Sequence, residues 1–243
     1  MQKNQNRLPV YLVTDLYIGC MEFAPLEFTP LVYICMWCAI AMLLLRKIRP
    51  GASRWLPALV FAFLIAIVGD YFLGIRTTNL GFALGIFGYL LTHIGFFIYA
   101  WHNITGRRRF TWWVLGLILL VFWSFYFIML WPSLRASIPF AIVVLLYLTM
   151  SCLTLATSID ITQRRFSWRW IFTAGVLCLL LSDATIGLHN FADMHELYHL
   201  YMWPLFYSAM ILIALSVIMQ HYGARLSEID YPIEDADYSG IAS

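Results

Sequence analysis

The chain has 243 residues, 62% of them hydrophobic and only 12% charged, with a formal net charge of +2. Soluble globular domains run near 25% charged, so this composition excludes an ordinary soluble fold. The small net charge gives no support to nucleic-acid binding, and the basic residues are accounted for below by membrane topology.

Long stretches carry no Asp, Glu, Lys or Arg, notably residues 110–134 and 136–159. A helix crossing about 30 Å of hydrocarbon needs about 20 apolar residues, and these runs suffice. They are continuously apolar and do not alternate as barrel strands do, so the sequence predicts an all-α polytopic membrane protein. Eight spans are expected, near residues 8–24, 28–45, 55–75, 80–101, 112–131, 138–157, 169–188 and 197–219. The first is interrupted by Asp15 and approaches Glu22, which leaves a seven-span protein with an interfacial N-terminal segment as the alternative.

The basic residues favour eight. Lys3, Arg7, Arg46, Lys47, Arg49, Arg54, Arg107, Arg108, Arg109, Arg164, Arg165, Arg169 and Arg225 fall on one side of the membrane, and only Arg76 and Arg135 on the other. By the positive-inside rule both termini are cytoplasmic. Residues 1–222 form one transmembrane domain, followed by an acidic, flexible tail over 223–243. No targeting signal is evident, so a bacterial cytoplasmic membrane is the expected location. Cys20, Cys35, Cys38, Cys152 and Cys178 all lie in or beside apolar spans, where packing is the expected role, including for the CxxC of Cys35 and Cys38.

Two acids interrupt the apolar spans in similar settings. Asp70 follows Gly69 and precedes Gly74 by four residues. Asp183 follows Ser182 and precedes Gly187 by four. A charged side chain at a helix centre costs about 2.5–3.5 kcal/mol on insertion scales. Both helices would run outward, so the match suggests a parallel 4+4 internal repeat with a site between the halves. Each acid lies about five residues from the outer end of its span, roughly 8 Å deep at 1.5 Å per residue. The pair could converge in one cavity. Alternatively each is a hydrogen-bonded carboxylic acid that pins helices together.

Two further groups carry chemistry. Gly81, Gly85, Tyr89, His93 and Phe97 recur every four residues, which places them on one helix face, with the glycines admitting a close neighbour. His195-Glu196-x2-His199, with His189 nearby, reads literally as a zinc-site motif. It falls at a loop-to-helix boundary, and a place at a cavity mouth competes with metal binding. The expected site therefore has no metal and no cofactor.

The ordered set Gly69-Asp70 with Gly74, Gly85-x2-Gly88-Tyr89-x3-His93-x5-Tyr99, Tyr147-x2-Met150 and Leu181-Ser182-Asp183 resembles the YhhN-like lysoplasmalogenases over most of residues 28–219. Two places depart from the family pattern: Thr29-Pro30 stands where relatives tend to have Lys-Pro, and Phe87-Gly88-Tyr89 is looser than usual. The resemblance implies a membrane hydrolase that cleaves the vinyl ether of lysoplasmalogens to a fatty aldehyde and a glycerophosphoethanolamine or glycerophosphocholine. Asp70 and Asp183 would act as general acid and base, and Tyr89, His93, Ser182 and Tyr147 would bind or orient the substrate. A lysophospholipid and the surrounding membrane lipids are then the expected partners. The alternative is a proton-coupled transporter, which also needs intramembrane acids in repeated halves.

Overall fold

A computed structural model describes residues 28–48, 53–74, 79–103, 109–159, 166–192 and 198–229. Among these residues there is no strand, and seven helices are long and apolar enough to cross a membrane. They are α1 (Phe28–Ile48), α2 (Leu56–Gly74), α3 (Asn79–His102), α4 (Arg109–Phe125, continued by a π turn Tyr126–Leu130 and by Trp131–Leu134), α5 (Ile138–Ile159), α6 (Phe166–Phe191) and α7 (Trp203–Ile229). They correspond to the second to eighth expected spans. The first, at 8–24, lies outside the described residues, as does the tail beyond Ile229. The helix α7 itself continues past residue 222.

Local signals start and bend these helices. Ser53 leads the chain into α2: its hydroxyl accepts from the Trp55 amide at 3.3 Å and its carbonyl from the Leu56 amide at 3.1 Å. Pro30, Pro57 and Pro139 occupy first turns, where a missing N–H breaks no helical bond. Pro132 and Pro204 also stand second in their α-helical segments, Trp131–Leu134 and α7, but these segments continue a helix already under way. Each follows a tryptophan and a five-residue π-helical turn, Tyr126–Leu130 before Trp131-Pro132 and Tyr198–Met202 before Trp203-Pro204. A proline inside a helix removes one rung of the ladder and crowds the preceding turn, and a widened turn accommodates both effects. After the first π turn α4 ends with Trp131–Leu134.

Six helices close into a ring in the order α1, α2, α3, α5, α6, α7 and back to α1. The tightest pairings are α2 with α3 and α6 with α7. α4 lies outside the ring against α5, tied by Trp123 Nε1 to Thr149 Oγ1 at 3.2 Å and by the Tyr126 hydroxyl to the Ala141 carbonyl at 2.8 Å. Its outer face is lipid-facing, with Trp113 82% and Leu120 67% exposed. Exchanging α1 with α5, α2 with α6 and α3 with α7 maps the order of packing around the ring onto itself.

Glycines set the closest approach. A Cβ placed on Gly88 of α3 would lie 2.7 Å from the Gly69 Cα and 3.0 Å from the Gly69 nitrogen on α2. The two helices therefore touch backbone to backbone one residue before Asp70 and one before Tyr89. Buried hydroxyls stitch the ring elsewhere: Thr154 on α5 donates to the His93 carbonyl on α3 at 3.2 Å, and Thr173 on α6 to the Ser158 carbonyl at 3.0 Å.

Candidate active site

The ring interior gathers the acids. Asp70 on α2 is 3% exposed and Asp183 on α6 is 8% exposed, and the two carboxyls lie within electrostatic range of one another. Each takes its own partner from α3. The Tyr89 hydroxyl donates to Asp70 Oδ1, and His93 Nε2 meets Asp183 Oδ2 at 2.9 Å. Tyr89 and His93 are one turn apart on α3, so this helix bridges the acids of the two opposite tight pairs. Tyr147 of α5 closes the arrangement. Its ring meets the His93 imidazole edge-on at 5.5 Å, and it sits within electrostatic range of both aspartates.

Three buried polar atoms in this cluster make no hydrogen bond: Asp70 Oδ2, His93 Nδ1 and Asp183 Oδ1. An unsatisfied buried polar atom costs about 1–3 kcal/mol, so the cluster is a poor device for holding helices together. Apolar residues of similar size would do that better. Free valences converging in one interior are instead suited to binding and to moving protons.

An apolar cleft leads to this cluster. It is walled by Phe82 and Ile86 of α3, Phe125 and Leu130 of α4, Val144, Tyr147 and Leu148 of α5, and Ile186, Gly187 and Phe191 of α6. Asp183 is its one charged lining residue and stands at the inner end, eight residues before the close of α6. Asp70 does not line it.

Of the residues singled out from the sequence, Asp70, Asp183, Tyr89, His93 and Tyr147 are brought together. Ser182 is buried, but its hydroxyl donates to the Met202 carbonyl at 3.1 Å and joins α6 to the turn entering α7. Cys35 and Cys38 are free, buried thiols. Cys38 donates to the Met210 carbonyl at 3.6 Å, and Cys35 packs within reach of Asp70. His195, Glu196 and the His199 side chain lie outside the described residues, and no group of metal-ligating side chains occurs among the described ones. Sequence reading did not find Phe82, Phe125 or Leu130. The Trp-Pro that follows the π turn was the available signal for Leu130.

An all-helical membrane protein with a carboxyl–imidazole–phenol cluster inside a helix ring is the class that this fold and site define. The chain belongs to the YhhN family, whose family model matches residues 27–217. No curated protein and no solved structure matches it.

Proposed function

We propose that this protein hydrolyses the vinyl ether of lysoplasmalogens. The observation that carries the reading is the placement of Asp183: a carboxyl with one unpaired oxygen, lining an apolar cleft, within electrostatic range of a second buried carboxyl. Membership of the YhhN family supports it.

The reaction needs a proton donor, a carboxylate and a water. A proton moves from a carboxyl to the β-carbon of the vinyl ether, and the double-bond electrons form the new C–H bond. The α-carbon becomes an oxocarbenium-like centre, which the ionised carboxyl stabilises. Water adds to it and loses a proton to that carboxylate. The hemiacetal then collapses to a fatty aldehyde and a glycerophospho-alcohol, consuming one water overall. Glycosidases use two carboxyls for a related cation. In this reading Asp183 meets the substrate, Asp70 supplies the second carboxyl, and the Tyr89 and His93 hydrogen bonds fix the orientation of the two acids.

The decisive experiment incubates purified, detergent-solubilised protein with a choline or ethanolamine lysoplasmalogen and assays free aldehyde. Aldehyde release supports the proposal. Its absence, together with pH-gradient-driven uptake by protein-containing vesicles, would replace it with a proton-coupled carrier. Tyr89→Phe is expected to slow aldehyde release by up to about tenfold, the range for losing one hydrogen bond. Chelators are expected to leave turnover unchanged. Inhibition reversed by added zinc would move the chemistry to His189, His195 and His199.

The same reading takes the matched acids, and the ring's exchange symmetry, as a parallel 4+4 repeat with an eighth span at 8–24. It places the termini in the cytoplasm of a bacterial inner membrane. Cysteine-accessibility labelling of Arg46→Cys and Arg135→Cys in intact cells checks the orientation: only the second should react with an impermeant reagent.

A further inference from the structure

α3 and α4 follow one another in the chain, yet they share no extended interface; each packs on α5 instead. Both line the cleft, whose remaining walls are α5 and α6. Phe82 and Ile86 form its α3 wall, and Phe125 and Leu130 its α4 wall. Phe87 (53% exposed) and Ile128 (67% exposed), neighbours of these lining residues, carry apolar surface outward from the α3 and α4 walls. The π turn sits on this wall and is anchored by the Tyr126 hydroxyl on the Ala141 carbonyl, with Leu130 as its last residue. Widened turns of this kind gather at functional sites.

We propose that the cleft is a lateral portal, through which the single hydrocarbon chain of a lysophospholipid passes from the bilayer between α3 and α4 and presents its first carbons to Asp183. The inference rests on the proposed hydrolysis for its substrate class. Three observations argue for this occupant. The lining is apolar except at its inner end, where the polar junction of such a lipid must come to rest. That end holds the unpaired, more than nine-tenths buried Asp183 Oδ1. Gly187 also leaves the wall opposite Leu130 without a side chain: a Cβ there would meet Leu130 Cδ1 at 3.4 Å.

Gly187→Leu tests the portal by filling it. Turnover of long-chain lysoplasmalogen is expected to fall at least about tenfold, because a branched side chain then occupies the chain's path. Turnover of an analogue with a very short alkenyl chain should stay within about threefold of wild type. Ile86→Phe, on the opposite wall, repeats the measurement should Gly187→Leu fail to fold. Leu43→Phe, on the lipid-facing side of α1, is the control and should change neither rate. A second readout needs no hydrolysis. A lysolipid carrying a diazirine near its chain terminus should photolabel peptides containing Phe82 or Phe125 in the wild type and not in Gly187→Leu. Labelling of these peptides by a protein that releases no aldehyde would keep the portal and remove the enzyme. Equal loss on long and short chains, or labelling that Gly187→Leu does not alter, would overturn the portal.

Discussion

Replacing Asp183 by Asn is expected to lower aldehyde release by about 10²–10⁴-fold, the usual contribution of a positioned acid or base, while the protein still inserts and folds. The substitution keeps the shape of the side chain and an oxygen for the 2.9 Å contact with His93 Nε2. It removes the ability to give or take a proton. Folding should suffer little, because the amide keeps an oxygen for His93 and for the neighbouring Tyr147 hydroxyl, and Oδ1 has no well-formed partner to lose. Thermal unfolding in detergent should therefore be unchanged or shifted slightly upward. Asp70→Asn is expected to show the same separation of activity from stability, since the Tyr89 hydroxyl keeps its acceptor. Asp183→Asn turning over at a near-wild-type rate would exclude this carboxyl from the chemistry.

The helices were legible because each is a long apolar run closed by charge, and the two acids because they break that pattern. Which way each helix faces was not. In a soluble protein a polar stripe marks the outside, but lipid is as apolar as a packed core, and periodicity then carries no direction. Leu180 is fully buried and Leu181 is 40% exposed, yet as residue types they are identical. The same blindness hid the position of α4 outside the ring and the cleft that it lines with α3. One helix end was misplaced for a local reason. Equal distances to the outer helix ends were expected, but α2 stops four residues after Asp70 whereas α6 continues eight beyond Asp183. α6 was expected to close near residue 188 but runs to Phe191, with the Asn190 side-chain amide donating to the Ile186 carbonyl at 2.7 Å in its last turn. The face shared by Tyr89 and His93 was readable from their spacing. Their division between two different aspartates was not, because it depends on where α2 and α6 cross α3.

The close contact of α2 and α3 makes Gly88 the most sensitive position outside the polar cluster. Gly88→Ala is expected to destabilise the protein by about 1–3 kcal/mol, the range for overpacking a tight interface. The cost is unavoidable at this site, since the new methyl would lie 2.7 Å from the Gly69 Cα, and a backbone atom cannot rotate away. The helices must separate instead, and the residues next to the contact are Asp70 and Tyr89. Turnover should accordingly fall further than the loss of folded protein explains, through a kcat effect with little change in KM, because the cleft wall at Gly187 is untouched. Gly116→Ala is the matched control. A Cβ there meets nothing within 4 Å, and its helix lies outside the ring, so stability and turnover should stay at wild-type levels. A Gly88→Ala protein with the unfolding temperature and kcat of the Gly116→Ala control would mean that α2 and α3 yield at this contact without disturbing the Tyr89–Asp70 bond. The rigid coupling between helix packing and acid geometry argued here would then be wrong.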